Sequence, residues 1–269
     1  MSALARRLAT TVGDLGSLVI LTGAGVSAES GVPTFRGEDG YWTLGSRHHH
    51  PQEMATHAMF QRDPVGVWSW YLHRLAVCRK AQPNPAHLAI AKTQAALGTR
   101  CTLITQNVDG LHARAGSSPD TSLTIHGDIQ HKRCVEGCGP PLQDIPLDVL
   151  GVARGSRATD TQMRALRCER CDGPTRPHVL WFDECYDEAL YRMQSALQAT
   201  LRASAVLSVG TTGATSLPAR ILQLVRERGI LLLDVNPQLN PFAETAEESG
   251  GWVRASAGNA LPPLLAELR

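Results

Sequence analysis

A chain of 269 residues, 43% of them hydrophobic, is long and apolar enough for one large domain or two unequal ones with a real core. Its 26 basic and 25 acidic side chains leave a formal net charge of +1, which gives no electrostatic footprint for nucleic acid and no basic run for a membrane surface. No apolar stretch approaches the roughly 20 residues that span a bilayer, so the composition points to a soluble cytoplasmic protein.

In chain order, the first predicted element is an amphipathic helix over Met-Ser-Ala-Leu-Ala-Arg-Arg-Leu-Ala, which lacks a secretory apolar region. The run Leu18-Val19-Ile20-Leu21 then reads as a buried parallel strand. Gly23 and Gly25 follow at its carboxyl end and leave the backbone bare at a strand-to-helix turn. A dinucleotide's phosphates can meet free N–H groups and a helix N-terminus at such a place. Two glycines in a turn are common for steric reasons alone, but the continuation Val32-Pro33-Thr34-Phe35-Arg36-Gly37 is too particular for turn chemistry. Residues 38–83 read as a loop followed by helices, including Pro64 to Lys80. Helices are predicted over 86–97, 187–202 and 216–228, and strands over 101–105, 204–209 and 230–235. This alternation implies an α/β fold, a Rossmann-like doubly wound parallel sheet with ligands at the strands' carboxyl ends. Gly23, Gln106, Gly210 and Asn236 all fall at those ends.

Four of the seven cysteines are paired by spacing, Cys134 with Cys138 and Cys168 with Cys171. Pairs at that separation in a cytosolic chain favour zinc over disulfides, whereas the isolated Cys78, Cys101 and Cys185 read as packing. Residues 129–177 hold the four cysteines, are rich in Pro, Gly and charge, and show little periodicity. A segment so poor in core residues needs a staple, and one tetrahedral zinc supplies it. The domain reading is a Rossmann-like part of 1–37, 84–128 and 178–269, a helical cofactor-loop insertion of 38–83, and a zinc-binding module of 129–177.

These residues resemble the sirtuin family of NAD-dependent protein lysine deacylases. The resemblance rests on Gly23-Ala24-Gly25-Val26-Ser27 with Thr34-Phe35-Arg36-Gly37, on Thr105-Gln106-Asn107-Val108-Asp109-Gly110-Leu111-His112, and on His126-Gly127. It continues through the four cysteines, Arg176-Pro177-His178-Val179-Leu180-Trp181-Phe182, Gly210-Thr211-Thr212 and Val235-Asn236, in the family's order. It implies NAD as cofactor, one structural zinc, acylated lysine side chains of proteins as partners, a monomer, and no nucleic acid or membrane. His126, Asn107 and Asp109 become the implied catalytic residues. His126 would deprotonate a ribose hydroxyl, as a neutral imidazole can near neutral pH. Gln106 and Asn107 would position the nicotinamide ribose and the attacking water, and Asp109 would hydrogen-bond the carboxamide. Phe35 would shield the reactive carbon, Arg36 would meet a phosphate or order the loop, and Ala24, Ser27, Thr212 and Asn236 would contact phosphate or adenosine ribose. Gly23, Gly25, Glu29, Trp42, Val108, Gly210, Thr211, Pro237, Gln238 and Ala257 complete the implied cofactor contacts. Apart from the resemblance, His126 reads more often as a helix-capping or core histidine than as a base, and Gln-Asn-Val-Asp after a strand more often as a turn than as a catalytic element.

The acyl group is addressed by Tyr71 and Arg74, three apart on a predicted helix. The branch of the family that removes succinyl, malonyl and glutaryl groups carries such a pair before a Pro-Asn-x-x-His element, here Pro83-Asn84-Pro85-Ala86-His87. A guanidinium and a phenol can hold an acyl carboxylate through charge-assisted hydrogen bonds. Ala55 matches the small residue of that branch's acyl pocket, and Gly40-Tyr41-Trp42 points the same way. Against this, Trp68, Tyr71, Leu72 and Leu75 follow helical core spacing, which leaves Tyr71 as a packing residue and acetyl-lysine as the substrate.

Phe182 begins the edge that the family uses to pair with substrate backbone, and Asp183 stands where it usually has glycine. A carboxylate there is expected to bias the charge of accepted peptides. Residues 213–218 are one residue longer than usual, and His48-His49-His50 reads as a solvated loop tip before a metal site. Two other function classes share the residues, an NAD glycohydrolase or ADP-ribosyltransferase and a non-catalytic NAD or acyl-lysine binding module. The pairing of His126 with Asn107 weighs against the latter.

Overall fold

The computed structural model describes residues 1–33, 51–139, 142–249 and 251–268. Six parallel strands form the main sheet: β1 (Leu18–Thr22), β2 (Cys101–Thr105), β3 (Ser122–Thr124), and, later in the chain, β7 (Ala205–Val209), β8 (Leu231–Val235) and β9 (Trp252–Val253). Their order is β3-β2-β1-β7-β8-β9, so the winding direction reverses between β1 and β7. That is the dinucleotide-binding topology, with its ligand crevice at the reversal.

Alternate residues of the strands feed two cores, because side chains on a strand point to opposite faces in turn. Leu18, Ile20, Leu103, Leu207 and Leu233 pack beneath the helices Ser2–Val12, Pro85–Leu97 and Ala257–Leu265. Val19, Leu21, Ile104, Val206 and Leu232 pack on the other face, under Met193–Arg202, Ser216–Arg228 and Pro241–Ser249. Burial on both faces explains the unbroken apolar run Leu18–Leu21 of β1 and the apolar run of β7, which only the buried Ser208 interrupts.

The four predicted strands stand within a residue of their expected bounds, and β3 and β9 are additional. At three and two residues, these edge strands are too short to show a period. The single helix expected over 187–202 is two, Glu188–Tyr191 and Met193–Arg202, broken at Arg192, whose φ of 54° is left-handed. The turn after β1 is a 3-10 helix, Ala24–Ser30, closed by Gly31 at φ 78°.

A second, antiparallel sheet contains β4 (Gly127–Cys134), β5 (Gln143–Asp144) and β6 (Thr175–Val179) in the order β5-β4-β6. The expectation that residues 129–177 lack core residues is corrected here. Ile129, Ile145, Val149, Val152 and Leu166 share one core with Val67, Trp68, Tyr71, Leu72 and Leu75 of the helix Pro64–Lys80. The indole of Trp68 donates to the Thr175 carbonyl at 2.9 Å and joins the two segments. Apart from Ile129 on β4, the core residues of 129–177 sit in turns, short helical ends and loops, so they carry no sequence period. Among the described residues, no helix is long and apolar enough to cross a membrane.

Candidate active site

The crevice at the reversal is built from two glycine turns pressed together. Gly23 N–H donates to the Val209 carbonyl at 3.0 Å and Gly25 N–H to the Gly210 carbonyl at 2.8 Å. A Cβ on Gly25 would lie 2.7 Å from the Gly210 Cα, and one on Gly23 would lie 2.8 Å from the Thr211 Cα. Gly210 itself has φ 58° and meets the Gly25 backbone as closely. These glycines are therefore required by the approach of the two backbones, in addition to any ligand. Gln106 ties the turns to β2: its Nε2 donates to the Thr22 carbonyl (3.2 Å) and to Thr211 Oγ1 (2.8 Å), while its Oε1 accepts from Thr215 (3.3 Å).

Behind this floor lies a buried network centred on Ser27. The Ser27 hydroxyl donates to Asp109 Oδ2 at 2.8 Å and accepts from Asn107 Nδ2 at 3.0 Å. His87 Nε2 lies 3.3 Å from the same hydroxyl, and the Asn84 N–H donates to His87 Nδ1. With Nδ1 accepting, Nε2 carries the proton and donates to Ser27, so all three positions of that hydroxyl are in use. Burial keeps His87 below the usual histidine range, in agreement with a neutral ring. Asp109 Oδ1 accepts from the Leu111 N–H at 2.9 Å, which fixes the carboxylate from both ends. Asn84 caps the helix Pro85–Leu97 and donates to the Val26 carbonyl at 2.8 Å. Asn84 and His87 were not identified as site residues from the sequence; their signal was the capping pattern Asn-Pro-x-His ahead of an apolar helix.

His126 stands on the other side of Gln106. Its Nδ1 is 3.0 Å from the Gln106 carbonyl, which can only accept, so Nδ1 carries the proton and Nε2 holds the lone pair. Nε2 is 2.6 Å from the Tyr186 hydroxyl, the donor of that bond. Surrounding protein pushes the imidazole down to about 4, and the ring is neutral at physiological pH. Tyr186 is a contact that sequence reading missed.

Beyond Gly210, Asn236 Nδ2 donates to the Thr211 carbonyl at 3.0 Å, and its Oδ1 accepts from the Gln238 N–H at 3.2 Å. Thr212, Pro237 and Gln238 are exposed at the ends of β7 and β8, and Ala24 and Val108 are half-buried. The Glu29 carboxylate accepts from Ser256 Oγ (2.9 Å) and the Gly258 N–H (2.6 Å), fastening the start of the helix Ala257–Leu265 to the 3-10 turn. Ala257 is buried at that junction. Phe35, Arg36, Trp42 and His48-His49-His50 lie outside the described residues.

On the small-sheet side, Tyr71 and Arg74 are both buried. Tyr71 accepts from the Trp181 indole at 3.0 Å, and the Arg74 guanidinium lies 4.5 Å from the Trp70 ring centroid and 5.8 Å from that of Tyr71. Desolvation raises the Tyr71 phenol to about 12, so it stays protonated. Ala55 is buried in the same core and its carbonyl accepts from the Phe182 N–H at 2.9 Å, while the Phe182 ring is 52% exposed.

Asp183 departs from its expected role. Its two oxygens accept from the His57 (2.8 Å) and Ala58 (3.1 Å) N–H groups at the start of the helix His57–Arg62, and Thr56 takes the third, from Met59. The carboxylate is thus bonded to a helix N-terminus, whose N–H groups hold it below the usual carboxylate range. Replacing Asp183 with Ala is expected to cost about 1 kcal/mol, read as a lower urea midpoint; an unchanged midpoint would refute the clamp.

The sulfurs of Cys134, Cys138, Cys168 and Cys171 lie within 4.8 Å of one another, with neighbouring separations of 3.5, 3.6 and 3.7 Å. Four thiolates at about 2.3 Å from a tetrahedral zinc stand about 3.8 Å apart, so the set fits one ion with no open position. Gln143 Nε2 and the Gly173 N–H donate to Cys168 and Cys171, as outer partners of such a site.

Residues 23–216 match the Sir2 family model. An "NAD-dependent protein deacylase" of Methylococcus capsulatus is 38% identical over 265 residues, 97% of this chain and 96% of that protein. The "NAD-dependent protein deacylase sirtuin-5, mitochondrial" of Danio rerio is 37% identical, covering 92% of this chain and 82% of its own length. The solved structure of a "Sir2 homolog-NAD complex" superposes with a TM-score of 0.78 at 33% identity, covering 98% of this chain and 93% of that one.

Proposed function

Because the chain belongs to the Sir2 family, we propose that it is an NAD-dependent protein lysine deacylase in which His126 is the base and succinyl- and malonyl-lysine are accepted beside acetyl-lysine. The observation that carries the reading is His126 itself, a neutral ring whose proton is pinned to the Gln106 carbonyl on the floor of the crevice.

NAD supplies a sugar carbon bearing a cationic leaving group, nicotinamide, which an acyl oxygen can replace. The chain's own residues do the rest. Gly23, Gly25, Gly210, Thr211 and Asn236 line the crevice at the β1–β7 reversal, where a bound dinucleotide's phosphates and ribose belong. Gln106 is held at both ends of its amide, and Asn107 and Asp109 are held by Ser27, so these three enter the reaction already oriented. His126 receives the proton of the sugar hydroxyl that goes on to attack the acyl-derived carbon, and the Gln106 carbonyl keeps its tautomer.

Arg74 supports the acidic-acyl reading. A guanidinium buried among Trp70, Tyr71 and their neighbours lies in a medium where its attraction to a carboxylate is stronger than in water. Tyr71 serves the core and the site together, its ring packed in the small-sheet core and its hydroxyl joined to Trp181. Replacing Arg74 with Met is expected to slow desuccinylation roughly 10- to 100-fold, the worth of a hydrogen bond to a charged group, and to leave deacetylation within a few-fold. Equal loss on both peptides defeats the acidic-acyl assignment.

The test of the whole reading is product analysis with one peptide carrying acetyl, succinyl or malonyl lysine. Nicotinamide and O-acyl-ADP-ribose should appear only with an acyl peptide. Steady NAD loss without peptide transfers the assignment to an NAD glycohydrolase.

A further inference from the structure

We propose that Tyr186 is a member of the proton-transfer machinery: its hydroxyl stands between His126 and the crevice, and the sugar proton reaches the imidazole through it. The inference rests on His126 being the base.

His126 has a single lone pair, at Nε2, because Nδ1 is engaged with the Gln106 carbonyl. That lone pair accepts from Tyr186 at 2.6 Å. One ring nitrogen takes one strong hydrogen bond, so a sugar hydroxyl must either expel the phenol or act through it. Expulsion is opposed from several sides. The preceding residues are tied down, Asp183 to the N–H groups of His57 and Ala58, and Glu184 to Arg176 and the Trp181 N–H. The following residue, Asp187, caps its helix through the Leu190 N–H at 2.6 Å. The Tyr186 ring packs against the sheet core, with its centroid 5.7 Å from that of His126. The Gln106 that accepts from His126 through its carbonyl also accepts from Thr215 through its side chain, so the His126–Tyr186 pair is anchored to the residue that forms the crevice floor.

The transfer balances. The sugar O–H breaks and leaves its electron pair on the sugar oxygen, which becomes the nucleophile. Its proton joins the Tyr186 oxygen as the phenol's own proton passes to Nε2. The phenol ends neutral and accepts from the new Nε2–H. Desolvation holds this phenol up at about 12, close to an ordinary sugar hydroxyl, so it passes a proton on and does not surrender it to solvent.

Tyr186→Phe separates the two routes. At saturating NAD, formation of deacylated peptide should fall about 10²-fold relative to nicotinamide release, which needs no base. Calorimetry with ADP-ribose, which carries the sugar hydroxyl, should show 2- to 10-fold weaker binding, the order of one hydrogen bond. Tighter ADP-ribose binding means the phenol is a displaced plug and overturns the relay, as does an undiminished deacylation rate or equal loss of both steps. If the variant does not fold, the wild-type enzyme still decides. Its acyl-transfer rate should curve with deuterium fraction, as when two protons move together, and a straight line overturns the proposal. Should wild type release no nicotinamide with any acyl peptide, the deacylase reading fails, and the ADP-ribose measurement alone judges Tyr186.

Discussion

Replacing His126 with Ala is expected to reduce deacylated product by 10² to 10⁴, the usual worth of a positioned base, while nicotinamide release from NAD in the presence of an acyl peptide continues. The split follows from the order of events, since the leaving group departs before the sugar hydroxyl must lose its proton. Single-turnover measurements with separate readout of nicotinamide and product check it. Parallel loss of both would remove His126 from the base role. The surroundings that fit the ring for this task also set its pH range. His126 is held down at about 4 by desolvation, so its acid limb in kcat/KM lies well below the ordinary histidine value of 6.5. The same burial has a consequence for stability. His112 at about 3, His126 and His178 at about 4, and His87 are all depressed by desolvation. In the unfolded chain they take up protons near 6.5, in the folded protein only at lower pH. Their contribution to stability is thus full above the ordinary histidine value of 6.5 and is lost as pH drops toward 4. The raised carboxylates Asp128 and Asp234 act in the opposite sense, two groups against four.

Much of this site was readable in the sequence because its chemistry sits at strand ends. Leu18–Thr22 and Ala205–Val209 are buried on both faces, so their apolar runs end where the crevice begins, at Gly23 and Gly210. The cysteine spacing was equally direct, since two short loops suffice to gather four sulfurs. What stayed hidden depends on contacts distant in sequence. The bond between Tyr186 and His126 spans 60 residues, and that between His87 and Ser27 also spans 60. No local pattern announces either. Asp183 shows the converse, a residue whose type was noticed and whose direction was not. Its place on the edge expected to pair with substrate suggested an effect on peptide charge, and the structure adds a local partner, the N-terminus of the helix His57–Arg62. The small sheet was underestimated for a related reason: its core is assembled from Ile145, Val149, Val152 and Leu166 on short turns, without period.

Removing the metal from the four-cysteine site is expected to disable acyl transfer while leaving the large sheet intact. The sulfurs sit at the end of β4 and just before β6, so one ion fixes the two strands that carry the small sheet. From β6, Arg176 holds Glu184 and stacks 3.4 Å above the Trp181 ring, and Glu184 accepts from the Trp181 N–H. Trp181 in turn donates to Tyr71. The four-cysteine site therefore reaches the helix Pro64–Lys80 and the Phe182–Tyr186 segment through an unbroken series of contacts. Structural zinc in peptides contributes an apparent 10–16 kcal/mol or so, more than a small core of this kind supplies alone. Stoichiometric metal analysis should find one zinc per chain. Chelation, or Cys168→Ser, should abolish deacylation and open residues 129–177 to protease, while the parallel sheet keeps its circular dichroism and its affinity for ADP-ribose falls far less. A metal-free protein that resists protease in that segment and still transfers acyl groups would show that the thiols act only as packing, and that the small sheet holds the substrate wall by its apolar core alone.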